Sequence, residues 1–197
     1  MSGRRGLTKG EIKRVLAAFA ALGGTYELRN VAMFVTGLVT GFRISELLSL
    51  TISSVWQNGG IVDEVTVARS DMKGKHRGRT IVLNTKAKLA LAAWLPGLRH
   101  MGGVLSTCAV FASRQSFPSS MTVRNAYGIY MKAFNAAGLT GSLGTHSTRK
   151  TFGQAAFIAF GGNLIDTQEA MGHADPKSTS LYVQPRHDTI RRVILDM

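Results

Sequence analysis

TGFRISEL, residues 40–47, stands where the most apolar segment of the chain, residues 31–42, gives way to charged sequence. That segment is broken by Thr and Gly and is too short to span a bilayer. It belongs to a core helix over about residues 26–40, whose apolar residues fall on every side and which is therefore central. Gly41 ends this helix. A short helix carrying Arg43, Glu46, Leu47 and Leu48 comes next, so an arginine follows directly on a glycine break.

On the N-terminal side, Thr8-Lys9-Gly10-Glu11 has the form of a capping box. Ile12, Val15, Leu16 and Phe19 continue from it at helical spacing, and Gly23-Gly24 stops that helix. On the C-terminal side the texture changes. Asn58-Gly59-Gly60 is a turn signal. Val65 and Val67 alternate with polar neighbours, as strands do, and residues 79–83 make a second short strand. Between them lies Lys73-Gly74-Lys75-His76-Arg77-Gly78, a basic hairpin loop. Helical texture resumes at about Thr85 and stops near Pro96. Residues 102–118 are loop-like around a short apolar piece, Val110-Phe111. A helix over about 122–137 places Val123, Ala126, Tyr127, Tyr130 and Phe134 on its apolar face, and Gly138 ends it. Another follows His146, with Phe152, Ala156 and Ala159 turned inward, and ends at Gly161-Gly162. A short helix precedes Gly172. Asp175-Pro176 reads as an N-cap with proline at the first helical position, opening a helix that carries Tyr182. An amphipathic stretch over about 188–195 closes the chain. No internal repeat, low-complexity tract or linker interrupts this order. The fold class expected is mostly α with a small antiparallel β-sheet (α+β), in one domain.

Charge narrows the partners. The 197 residues hold 24 Lys and Arg against 11 Asp and Glu, a net charge of +13. A compact body with that excess repels itself unless a polyanion shares the surface, and nucleic acid is the leading candidate over a membrane surface. Hydrophobic residues make up 45%, the proportion of a folded soluble protein rather than a disordered one. Cys108 is the single cysteine, so no intrachain disulfide forms; it reads as a small buried hydrophobe in a reducing cytoplasm. No His/Cys/Asp cluster has metal-ligand spacing, which disfavours a metal nuclease.

Several residues can carry chemistry. His146 and Arg149 are three apart and share a face if helical. Met171-Gly172-His173 is followed, nine residues after the histidine, by Tyr182. With Arg43 and the lysine-rich hairpin, the set is two arginines, two histidines, a lysine and a tyrosine. Two arginines can clamp the non-bridging oxygens of a phosphodiester and offset charge that grows in the transition state. A tyrosine beside them loses its proton more readily and can act as nucleophile. A lysine in a loop can protonate the departing sugar oxygen, and histidines can move protons or donate to phosphoryl oxygens. Together these steps describe DNA cleavage through a covalent phosphotyrosine. Singly, each residue has a plainer explanation: Arg43 as an ion pair with Glu46, Tyr182 as a packing residue, His173 as a cap or core histidine. His76, His100 and His187 keep the plain explanation, and Trp94 and Tyr127 are expected in the core rather than stacked on bases.

The ordered blocks resemble the tyrosine recombinases, the phage-integrase family, whose blocks run roughly TGLRxSEL, a lysine-bearing β-hairpin, HxLRH and LGHxxxxxTxxY. Here they are TGFRISEL (40–47), the hairpin 69–83, HSTRK (146–150) and MGHADPKSTSLY (171–182). The resemblance runs from about Thr8 to near the end of the chain. It implies Arg43 and Arg149 as the two catalytic arginines, His146 and His173 as the catalytic histidines, and Tyr182 as the nucleophile. Lys73 takes the place of the family lysine by loop position, with Lys75 the alternative. Glu46 matches an acidic residue that supports the active site. Phe42, Thr148 and Met171 replace family leucines as packing swaps, and Lys150 stands where a histidine is common, with no expected effect on catalysis.

The resemblance further implies a domain plan of a basic N-terminal arm over 1–7 and a catalytic domain over 8–197, without the N-terminal core-binding domain of most members. The chain is then either cut down or naturally short. The implied reaction is site-specific strand exchange through a 3′-phosphotyrosyl link. It needs no cofactor, neither ATP nor metal. Double-stranded DNA is the partner, with a homo-tetramer on two duplexes at synapsis and a monomer or weak oligomer without DNA. No membrane association is expected, and the location is cytoplasmic, on the nucleoid. A type IB topoisomerase, which only relaxes DNA, and a catalytically silent DNA-binding regulator remain as alternatives.

Overall fold

The computed structural model of the protein describes residues 4–68, 78–102 and 106–172. Its elements are α1 (Lys9–Leu22), α2 (Glu27–Thr40), α3 (Ile44–Leu48), α4 (Ile52–Val55), β1 (Trp56–Gln57), β2 (Gly60–Ile61), β3 (Glu64–Val67), β4 (Arg79–Val82), α5 (Thr85–His100), α6 (Val123–Ala136), α7 (His146–Ala159) and α8 (Leu164–Met171). The chain forms two compact units, Met1–Phe152 and Gly153–Met197, divided within α7.

In the first unit α2 is the central element, packed by α1, α3 and α5. Ala32, Met33, Phe34, Thr36, Gly37 and Thr40 are all buried along it, as its all-round apolar pattern requires. Phe19 of α1, Phe34 of α2 and Tyr130 and Phe134 of α6 form an aromatic cluster with ring centroids 5.6–6.3 Å apart. Tyr130 is fully buried, which pushes its phenol well up. Its hydroxyl donates to the Met33 carbonyl at 3.2 Å, so the polar end is satisfied.

The start of α1 is the expected capping box. The Thr8 hydroxyl accepts from the Glu11 amide at 3.2 Å, and the Glu11 carboxylate accepts from the Thr8 amide at 2.9 Å. The basic arm is tied down from Arg5 onward. Its guanidinium pairs with Glu11 at 2.6 Å and donates to the Thr140 carbonyl at 2.7 Å, and its amide donates to the Ser142 carbonyl at 2.8 Å. Leu7 is buried, and its amide donates to the Thr151 hydroxyl at 2.8 Å.

The small sheet proves to be two separate two-stranded ribbons. β1 and β2 join through Asn58 and Gly59, whose φ values of 50° and 83° are those a tight hairpin turn demands. β3 and β4 pair antiparallel with Val67 opposite Arg79 and Glu64 opposite Val82. Val65 and Val67 are buried and Glu64 and Thr66 exposed, as the alternation predicts.

Three expectations need correction. α5 does not stop at Pro96 but runs to His100. Its last turn is held by burial of Leu98 and by Arg99, whose guanidinium lies 4.5 Å from the Trp56 ring centroid. On α6, Val123 and Tyr127 are exposed. The buried stripe is Ala126, Tyr130, Ala133 and Phe134, and Tyr127 is turned about 100° from Ala126, out of that stripe. On α7, Ala156 is buried but Ala159, in the last turn, is exposed, and Phe152 is half-buried. Trp94 and Cys108 are buried as expected, and burial raises the Cys108 thiol. Among the described residues, no helix is long and apolar enough to cross a membrane.

Candidate functional site

The site is built where α2 ends. Gly41 adopts φ 61°, the left-handed conformation that closes a helix and favours glycine. A Cβ at Gly41 would also run into the ring of Phe152, so the position is closed to side chains twice over. Thr40 fixes the turn further: its hydroxyl donates to the Thr36 carbonyl at 2.8 Å and accepts from the Phe42 amide at 3.2 Å. The carbonyls at a helix C-terminus lack helical partners and carry partial negative charge. Two arginines take them up. Arg79 donates to the Thr40 carbonyl at 2.7 Å, and Arg149 donates to the Gly41 carbonyl at 2.5 Å.

Arg43 lies two residues on, at the N-cap position of α3 rather than within it. Glu46, fully buried one turn into α3, accepts from the Arg43 amide at 2.8 Å and from the Arg43 guanidinium at 2.6 Å. Arg149 reaches the same carboxylate at 3.9 Å. Two arginines far apart in sequence therefore share one buried carboxylate. The Arg43–Glu46 ion pair of the plainer explanation is present, but as part of this cluster. The side chain of Arg43 is 22% exposed and that of Arg149 1%, so Arg43 forms the accessible edge.

α7 reaches the site because α2 is thin there. A Cβ at Gly37 would meet Leu47 of α3 at 3.1 Å and Thr148 of α7 at 3.3 Å. Phe42 and Thr148 are 1% exposed and Met171 is fully buried, in keeping with packing roles for these three. His146 opens α7 one helical turn before Arg149 and is exposed. Lys73, Lys75, His173 and Tyr182, with the helix expected after Asp175, lie outside the described residues.

Arg79 is the neighbour that sequence reasoning missed. It is 6% exposed and stacks its guanidinium 5.1 Å from the Phe42 ring centroid and 5.8 Å from that of Phe152. The signal was its place opposite Val67, on the buried face of the ribbon, which becomes readable only once the strand register is known. Among the described residues no three His, Cys, Asp or Glu side chains gather as a metal site.

The phage integrase family model matches residues 5–188. The chain is 28% identical over 193 residues to the tyrosine recombinase XerD of Mycobacterium leprae, covering 92% of this chain and 58% of that one. It is 29% identical over 169 residues to the tyrosine recombinase XerC of Lactobacillus delbrueckii subsp. bulgaricus, covering 83% and 53%. The chain thus spans less than two thirds of the length of these relatives. Among solved structures, the XerA recombinase superimposes with a TM-score of 0.76 at 20% identity, over 98% of this chain and 65% of that one. The XerH site-specific recombinase bound to difH substrate, a pre-cleavage complex, does so with a TM-score of 0.74 at 21% identity, over 98% and 55%. The fold is that of tyrosine recombinase catalytic domains.

Proposed function

The chain belongs to the phage integrase family, and on that premise we propose that it is a site-specific recombinase that cuts and rejoins double-stranded DNA through a 3′-phosphotyrosyl intermediate. The observation that supports this reading most is the sharing of buried Glu46 by Arg43 and Arg149. One carboxylate between two guanidinium groups leaves a positive excess, fixed in position, at a partly open edge. Such an edge suits a phosphodiester whose charge grows during displacement. Glu46 acts as a positioning residue, and residues 8–197 act as the catalytic domain.

In the proposed reaction, the Tyr182 oxygen attacks the scissile phosphorus and the bond to the 5′ oxygen breaks. Lys73 gives that oxygen its proton, while His146 and His173 move protons or donate to the phosphoryl oxygens. Arg43 and Arg149 hold the non-bridging oxygens. The 5′-hydroxyl of a partner strand then attacks the phosphotyrosine and releases Tyr182. One phosphoester bond is exchanged for another at each step, so the reaction calls for no ATP. Exchange between two duplexes engages four protomers.

Charge-neutral substrates test the arginine clamp. Arg43→Ala and Arg149→Ala should each cut an ordinary duplex at least 10²-fold more slowly, the scale of losing one oxyanion donor. A methylphosphonate at the scissile position removes the non-bridging charge, and both variants should recover cleavage on it. A folded variant that remains inactive on the methylphosphonate duplex would refute the clamp.

A further inference from the structure

The turn from α2 into α3 depends on a residue that cannot hold it alone. Gly41 is required there by its φ of 61° and by the Phe152 ring, and glycine is the residue least able to keep a backbone direction by itself. Arg43 leaves the chain two residues later, so its place follows from how that turn is held. The peptide planes on the two sides of Gly41 are gripped by two different arginines. Arg149 donates to the Gly41 carbonyl at 2.5 Å, and Arg79 donates to the Thr40 carbonyl at 2.7 Å. Arg149 already belongs to the phosphate clamp; Arg79 has no part in it so far. Arg79 opens β4 opposite buried Val67 and is itself 6% exposed. Its guanidinium rests against the rings of Phe42 and Phe152, 5.1 and 5.8 Å from their centroids. Phe42 separates Gly41 from Arg43, and Phe152 lies three residues after Arg149 on α7. One side chain thus joins the ribbon, the turn ahead of Arg43 and the helix that carries Arg149. A planar guanidinium can stack on rings and donate at its edge at once, which neither an ammonium nor an apolar side chain does.

We propose that Arg79 is a positioning residue for the cleavage step, which fixes the Thr40–Arg43 turn so that Arg43 and Arg149 meet the same phosphate, without itself touching DNA. This rests on the reading above, in which those two arginines hold the non-bridging oxygens. Without Arg79 the Thr40–Gly41 plane loses this grip, and Gly41 is free to turn. A displacement of Arg43 by about 1 Å is enough to cost roughly 10²-fold in rate.

The test compares two duplexes and two variants of the full chain. Arg79→Met keeps an apolar side chain against the rings and loses the hydrogen bond. Arg79→Lys keeps a charge and a donor and loses the planar stack. Arg79→Met should cut an ordinary duplex about 10²-fold more slowly at saturating DNA, and Arg79→Lys should fall between it and wild type. KM and the salt slope of binding should stay at wild-type values, because a side chain 6% exposed makes no phosphate contact. On a duplex with a methylphosphonate at the scissile position, where the clamp has no charge to offset, the variants should match wild type. Arg79→Met/Arg43→Ala should be no slower than Arg43→Ala alone, because both losses fall on one clamp. Equal slowing on the two duplexes would overturn the proposal and leave Arg79 a packing residue, as would losses that multiply in the double variant. Rescue by a 5′-bridging sulfur instead would assign Arg79 to the general acid, and a salt slope shallower by about 0.9 would make it a phosphate contact. If Arg79→Met shows no cooperative urea transition, Arg79→Lys is judged by the same outcomes. Failure of the strand-exchange reading itself appears elsewhere, as a wild-type chain that cuts neither duplex.

Discussion

Glu46 is the residue on which the site turns, because it is the meeting point of a local and a long-range contact. Its bond to Arg43 spans three residues and is readable from TGFRISEL. Its approach to Arg149 crosses more than a hundred positions and depends on α7 packing against Gly37. The ordered motifs made Arg43 and Arg149 legible as a pair and Glu46 as an acidic support, but not the approach of Arg149 to that carboxylate or the neighbouring Arg79. An arginine at a strand end reads as polar and exposed until the ribbon register turns it inward. The general acid is decided at this scale too. Lys73→Ala should slow cleavage by roughly 10²–10⁴-fold, the usual cost of removing a general acid. A duplex with sulfur at the 5′-bridging position should rescue that variant, since a thiolate departs without a proton. Lys75→Ala should act through weaker DNA binding and gain nothing from sulfur. Rescue of Lys75→Ala instead would move the acid by two residues, and rescue of neither would point to His146.

At the scale of elements, the C-terminus of α2 organises the site by presenting the Thr40 and Gly41 carbonyls to two arginines. Gly41→Ala should destabilise the protein by about 1–2 kcal/mol from the positive φ alone. The collision with Phe152 should add about 1–3 kcal/mol. Urea unfolding of Gly41→Ala and of Gly41→Ala/Phe152→Leu separates the two, because only the collision is relieved in the double variant; a neutral Gly41→Ala would contradict the description of this turn. The anchor at the start of α1 predicts a pH dependence. The Arg5 guanidinium, chiefly through its hydrogen bond, lowers Glu11 from 4.5 to about 2. A folded-state pKa below the unfolded one stabilises the protein above about pH 4.5, and this stabilisation is lost as pH falls toward 2. Arg5 is a third exposed, so the contribution is about 1 kcal/mol. Glu11→Gln should be less stable than wild type by that amount at pH 7, and the difference should shrink by pH 3. A constant difference would mean that the carboxylate charge plays no part. Helix starts and stops were legible here because caps and glycines act locally: Thr8, Gly23, Gly41 and Gly172 all behave as read. Pro96 misled because the contacts of Leu98 and Arg99, which carry α5 past it, are tertiary.

At the scale of the whole molecule, the fold gathers Arg43, Arg79 and Arg149 at the C-terminus of one central helix, on a chain with a net charge of +13. The texture of the sequence made the mostly helical plan and the β3–β4 ribbon legible in advance, but of the β1–β2 ribbon only its turn at Asn58-Gly59. The anchoring of the arm by Thr140, Ser142 and Thr151 was not, since no local pattern links residue 5 to residue 140. The central claim is that this surface delivers a phosphodiester to Tyr182. It is tested most directly with a nicked suicide duplex carrying the recombination site, from which the cut end cannot be religated. The wild-type chain should trap a denaturant-resistant adduct, and peptide mass spectrometry after nuclease trimming should place a 3′-phosphonucleotide on Tyr182. Tyr182→Phe should form none while binding DNA nearly as tightly. An adduct that persists in Tyr182→Phe, or maps to another residue, would contradict the account.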